Sequence, residues 1–349
     1  MTDESPSPNG ADRRTFLRAT GAAVAGAALA TSAVSARGPA ASDVHVATAD
    51  FDRGVSGKHR HEVRQTALRE FNACGGDLDA PPARSTPDPE DGTVVSFAYR
   101  IDENGVPQQY AGIAGDADSV STLHGRATAR AGAFERGLGT GARTDGVRTQ
   151  AGSWNRILHD EADFCKDPYG CVTNNFDLQQ LASDGDAAQD AYAVKHIFAM
   201  EPGVQKYGSD WVNNVGRPMH DWRQNSMGGA DLHEWDPLGT HDGKQTISVS
   251  VGTGGASLGW QYTLPAVTTV DESSPSSNYA KWSEEFNTDA ARENTNGMKP
   301  GSSTWLDQQA AGSGYHDLMD LVADGEFYDG GWSSDTYSLK HTFHVDVYY

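Results

Sequence analysis

Lysine is scarce in this 349-residue chain: eight of its 27 basic residues are lysine and nineteen are arginine, against 48 Asp plus Glu. The resulting formal charge of −21 leaves no cationic footprint for gripping phosphates. Nucleic acid is therefore excluded as a partner, and anionic membrane surfaces are disfavoured. No run of eighteen or more strongly apolar residues follows the N-terminus, so no transmembrane helix anchor is expected. Cysteine is limited to Cys74, Cys165 and Cys171, enough for one bridge with one thiol left over. There is no Asn-x-Ser/Thr sequon and no phosphate-cradling glycine loop.

What is abundant is carboxylate. An acidic, lysine-poor chain resembles the proteins of extreme halophiles, which stay soluble in concentrated salt through a hydrated, self-repelling surface. At 1 M salt the Debye length is about 3 Å, so repulsion that strains the fold in dilute buffer is screened. Near the N-terminus Arg13 and Arg14 are followed by Phe16, Leu17 and an Ala/Gly-rich stretch ending in small residues at Ala36. The arginine pair with Phe-Leu resembles a twin-arginine export signal, which implies release outside the cell. Together these features resemble secreted haloarchaeal proteins of no assigned family.

The best-patterned stretch is Gln245–Pro265. Ile247, Val249 and Val251 alternate with serines, and after a Gly-rich break Ala256, Leu258, Trp260, Tyr262 and Leu264 resume the alternation. That pattern predicts a half-buried hairpin. A second hairpin is expected around Val95–Ile113 and a last strand at Leu339–Val347. Helical spacing is read at Lys58–Cys74, Ala187–Met200 and His316–Ala323, while the Gly/Arg-rich stretch divides between a loose surface segment and a poorly hydrophobic helix around Leu123–Leu138. The fold class expected is α+β, with a β-sandwich-like C-terminal region and a few helices in the N-terminal and middle parts. The boundaries are a signal peptide at 1–36, a flexible leader at 37–57, an α+β region with a Gly/Arg-rich segment at 58–150, and an acidic, mainly β domain at 151–349. Residues 38–150 carry net −4 and 151–349 net −18, an asymmetry that would let the first part dock electrostatically on the second.

Chemistry-bearing motifs are sparse. Cys165 and Cys171 flank a Lys-Asp-Pro-Tyr-Gly turn, and in an exported protein they are expected to form a local disulfide. Gly255-Ala256-Ser257-Leu258-Gly259 matches the string of a hydrolase nucleophile elbow. That elbow needs a helix after the serine, whereas the residues that follow alternate as a strand, so Ser257 is expected to be a polar outward residue. His220, His233, Asp236 and His241 are dense enough in metal-ligating side chains to suggest a divalent metal such as zinc, although their spacing matches no known ligand motif. Asp184-Gly185-Asp186 followed by Asp190 is a partial calcium-loop pattern lacking the sixth-position glycine and twelfth-position glutamate.

No catalytic motif is complete. The expectation is a secreted, non-enzymatic halophilic protein: a binding or surface-interaction module, or a halocin-like antimicrobial factor. Its partner would be a cell surface, a protein or a polysaccharide. The alternative is a secreted metal-dependent hydrolase working through the cluster at 220–242.

Overall fold

The computed structural model describes residues 39–136, 153–182, 189–224, 226, 231–253, 256–307, 312–330 and 334–349. Arg13, Arg14, Phe16 and Leu17 of the export signal lie outside them, as do Asp184 and Asp186 of the calcium-like pattern. Gly38–Tyr349 forms one compact unit.

The first elements are β1 (His45–Thr48), α1 (Gly57–Ala73), β2 (Ala83–Pro89), β3 (Thr93–Ile101), β4 (Pro107–Ala114) and α2 (Val120–Glu135). They are followed by β5 (Trp154–Lys166), β6 (Gly170–Leu181), β7 (Gln189–Pro202), the single turn α3 (Gly203–Lys206) and β8 (Trp211–Asp221). Next come β9 (Asp231–Asp236), β10 (Thr240–Asp242), β11 (Gln245–Thr253), β12 (Ala256–Leu264), β13 (Thr268–Asp271) and β14 (Tyr279–Glu285). The chain ends with α4 (Asp289–Arg292), β15 (Asn296–Met298), β16 (Gly301–Asp307), β17 (Tyr315–Asp329) and β18 (Thr336–Tyr348).

One sheet runs β1-β3-β4-β5-β6-β7-β16-β9, with β15 also on β7, and the other runs β10-β13-β14-β8-β17-β18-β2. All pairs are antiparallel except β4 with β5, which α2 connects as a crossover. The sheets face each other across a common core, in which Phe176 of β6 meets Phe343 of β18 with ring centroids 5.4 Å apart. Residues from both sides of position 150 share both sheets, because β4 pairs with β5 and β2 with β18. The stretch expected as a flexible leader supplies an edge strand, β1.

The protein is therefore predominantly β. Two of the expected helices are present. Ser56 caps α1 by accepting from the His59 N–H at 3.2 Å, and Ala67, Leu68 and Phe71 make its buried stripe. α2 lies on the first sheet through Leu123, Ala127, Ala131 and Phe134. The other two readings are corrected. Ala187–Met200 falls largely in β7, where Ala191, Tyr192, Ala193 and Val194 are all at most 1% exposed. A strand covered on both faces loses its period of two and can be mistaken for a helix segment. His316–Ala323 is part of the long strand β17. A close fit between the sheets depends on Gly216 and Gly325, which lie opposite each other on β8 and β17. A Cβ on either would collide with Phe198, Met200 or Val172.

Candidate functional site

Among the described strands, β11 and β12 form a two-stranded sheet of their own, joined to neither large sheet by a backbone ladder. Each strand is nine residues long, and they pair in unbroken register from Gln245 with Leu264 to Thr253 with Ala256. Ile247, Val249, Val251, Ala256, Leu258, Trp260, Tyr262 and Leu264 are buried in the main core cluster. The opposite face carries Thr246, Ser248, Ser250, Ser257, Gly259, Gln261 and Thr263, and Gln261 donates to the Ser248 hydroxyl at 3.0 Å. Alternation in sequence has become one dry face and one hydroxyl-rich face.

The hairpin lies against β9 and β16. Consecutive serines of β16 explain how, because side chains of neighbouring residues in a strand point to opposite faces. Ser302 turns into the core between the sheets, where its hydroxyl accepts from Trp222 Nε1 at 3.0 Å. Ser303 turns to the hairpin and donates to the Gly252 carbonyl at 2.9 Å. Two further bonds hold the hairpin: Asp236 Oδ2 accepts from the Ser250 N–H at 2.8 Å, and Trp260 Nε1 donates to the Lys299 carbonyl at 2.8 Å. Gly301 leaves the space that the Trp260 ring fills, since a Cβ there would strike the indole. Lys195 lies over the same ring, its Nζ 5.7 Å from the centroid.

Acidic groups near the hairpin sit in a poorly solvated setting. Glu284, on the inward side of β14, is fully buried, and neither carboxylate oxygen has a hydrogen-bond partner. Burial pushes its carboxyl up to about 8. Tyr262 of β12 is also pushed upward, by burial first and then by the nearby Glu284. Burial raises Asp236 despite the backbone N–H groups that it accepts.

The fold does not bring the four residues considered for a metal together as one group. His220 is fully buried between the sheets, with Nδ1 2.8 Å from the Ser302 hydroxyl and Nε2 3.2 Å from Nδ1 of His196. His233 is exposed on β9, Asp236 binds the hairpin, and His241 on β10 lies 3.0 Å from the Leu238 carbonyl. Among the described residues, no three His, Cys, Asp or Glu side chains converge in a way that could hold a metal. Sequence proximity suggested a cluster, but β9 belongs to one sheet and β8 and β10 to the other. The contact between Ser302 and His220 resembles a nucleophile and base only in composition. Both are fully buried, and burial drives His220 down to about 3. Ser257 lies on the polar face of β12 opposite Gly252, with strand rather than helix following it, so the elbow reading ends there.

Cys165 and Cys171 are joined by a disulfide across the β5–β6 turn, and Cys74 is free and exposed. The carboxyl group that sequence reasoning missed is Glu284. In Lys281-Trp282-Ser283-Glu284-Glu285 nothing distinguishes it from its neighbour Glu285, which is exposed.

No protein-family model matches the chain, and no curated protein does. Among solved structures, Clostridium perfringens delta-toxin matches at TM-score 0.28 and 9% identity, over 54% of this chain and 86% of the toxin. A structure titled pore forming protein matches at 0.30 and 6%, over 57% of this chain and all of that one. The Clostridium perfringens NetB toxin in its membrane-inserted form matches at 0.29 and 6%, over 58% and 97%. Likeness at these TM-scores does not establish a common fold.

Proposed function

We propose that the chain is an exported, non-enzymatic factor of a high-salt setting that acts on membranes, with β11–β12 as the segment that enters the bilayer. The observation that carries this reading is the hairpin itself. Its two nine-residue strands have one continuous apolar face and one uncharged polar face, and they form a sheet separate from the body. A transmembrane β-strand needs about 9–11 residues with that alternation, and its turn must cross without charge. The connection here is Gly254-Gly255, and no ionisable side chain other than the Tyr262 phenol lies between Gln245 and Leu264. That no helix among the described residues could cross a membrane has no bearing on strands.

Two strands cannot stay in hydrocarbon alone, because their outer edges would leave backbone N–H and C=O groups unsatisfied. The smallest membrane barrels have about eight strands, so at least about four copies would have to combine their hairpins. The dry face that now packs on the body would then face lipid, and the serine-rich face would line the lumen. In molar salt the protein's negative charge is screened and does not prevent approach to a bilayer.

The test is leakage of a dye from lipid vesicles in molar salt. Val249→Lys places a charge at the middle of the face that would meet lipid, and it should abolish leakage. Wild-type protein that releases no dye from any vesicle, or Val249→Lys protein that folds and leaks fully, would overturn the reading.

A further inference from the structure

We infer that the outer edge of β11 is a docking edge for a second copy of this chain, strand against strand, and that Asp236 and Ser303 keep it closed in the single protein. This names a partner for the segment described above and rests on that reading, yet the pairing occurs in water and can be tested without a membrane.

In an antiparallel pair the N–H and C=O of one residue point to the same side, and the side alternates along the strand. Ser250 gives its N–H to Asp236 Oδ2 at 2.8 Å, and the Gly252 carbonyl accepts from the Ser303 hydroxyl at 2.9 Å. The even-numbered residues of β11 therefore turn their backbone groups away from β12. At this edge a carboxylate stands in for the C=O of a neighbouring strand, and a hydroxyl stands in for its N–H. The spacing of the two caps fits that role. Asp236 lies across the β9–β16 ladder from Gly301, two residues before Ser303, so the caps are about 7 Å apart along the strands, the repeat at which outward groups recur. Ser303 is fully buried, and Asp236 also accepts the Leu238 N–H through Oδ1 at 3.2 Å. An edge closed in this way cannot take up another strand until its caps let go.

Charge and length identify the occupant. A chain of net −21 repels its own copies, but between Gln245 and Leu264 the Tyr262 phenol is the one ionisable side chain, so two copies can meet there without opposing carboxylates. β12 matches β11 at nine residues each in unbroken register. By the same alternation Ser257, Gly259, Gln261 and Thr263 turn their backbone groups to the outer side of β12. Pairing β11 of one copy with β12 of the next leaves a free edge at each end, a head-to-tail contact that repeats until a ring closes.

The experiment is sedimentation of the full-length protein in molar salt without lipid. With both caps removed, Asp236→Ala plus Ser303→Ala should associate at protein concentrations at least about tenfold below any at which the wild type does, because the closed state has lost two hydrogen bonds. Adding Ser248→Pro blocks the β11 edge and adding Gln261→Pro blocks the β12 edge, since proline removes an outward N–H. Each of these triple variants should stay monomeric alone, and the two mixed should form dimers and nothing larger. An uncapped protein that remains monomeric, association that survives either proline, or a mixture that does not dimerise overturns the inference. If the uncapped protein does not fold, Ser303→Ala alone decides: losing one hydroxyl should move association several-fold in the same direction, and no movement overturns the inference. Vesicle leakage separates the two ideas. Edge pairing with no leakage would sink the membrane reading and leave the docking edge standing, while wild-type leakage with a monomeric uncapped protein would do the reverse.

Discussion

Trp260 anchors the hairpin in a way that no neighbouring residue can replace, because its ring fills the space left by Gly301 and its N–H reaches the Lys299 carbonyl. Gly301→Val would fill that space and push the ring out. Exchange protection of β11–β12 is expected to drop while the melting of the large sheets changes little; unchanged protection would show that the ring is not the anchor. A second group of residues sets the acid limit of the fold. Burial holds His220 at about 3 and His341 at about 4, and it drives His196 well below the usual range, all between the sheets. These histidines are neutral when folded and free to protonate when unfolded, near 6.5. Their contribution is complete above 6.5 and is lost as pH falls towards 4, at about 1.4 kcal/mol per unit for each group. His159 works in the opposite direction. Its contacts with Asp177 at 2.8 Å and Glu161 at 3.1 Å outweigh burial and raise it to about 9. Its contribution is present below 6.5 and fades as pH rises to 9. Urea midpoints should therefore fall on both sides of neutrality, and replacing His341 with Phe should flatten the acid side.

At the scale of elements, α2 and the hairpin are both placed on the body, by different forces. α2 rests on the first sheet partly through ion pairs, Arg126 with Asp163 at 3.0 Å and Arg130 with Glu161 at 2.8 Å. Asp163 is nearly buried, so neutralising Arg126 leaves its carboxylate without a countercharge, whereas Glu161 keeps its contact with His159. The hairpin is held mainly by apolar burial with a few hydrogen bonds, which suits an element that must exchange one dry environment for another. Its polar face has no charge, so a channel lined by it should discriminate little between cations and anions. The reversal potential across a bilayer with a salt gradient is expected near zero, and Ser250→Glu should shift it towards cation selectivity. A strongly selective wild-type channel would contradict the assignment of this face to the lumen. Reducing the Cys165–Cys171 bridge, which closes a short loop, should cost about 2–2.5 kcal/mol by the chain-entropy model.

For the whole molecule the decisive quantity is net charge. The chain carries −21, and with many carboxylates outside ion pairs its folded unit should be stable only where salt screens repulsion. Unfolding followed in 0.1, 1 and 3 M KCl is expected to show a midpoint that rises steeply with salt; full stability in dilute buffer would argue against a halophilic protein. Arginines of the Gly/Arg-rich stretch meet acidic residues of β5, within one compact unit.

Where a segment meets water on one side, the sequence was legible. The alternation at 245–264 specified a hairpin, the spacing of Val63, Ala67, Leu68 and Phe71 specified α1, and the Asp-Pro-Tyr-Gly turn brought Cys165 to Cys171. β7 was illegible at Ala191–Val194, where both faces are covered and the period that distinguishes strand from helix is erased. The proposed site divides along the same line. By itself the sequence determined that β11–β12 is amphipathic and free of charge. Only the tertiary structure decided what holds it to the body, because partners such as Gly301 and Ser303 come from a strand far along the chain, and burial rather than residue type turns Glu284 from an ordinary surface acid into a proton-holding one.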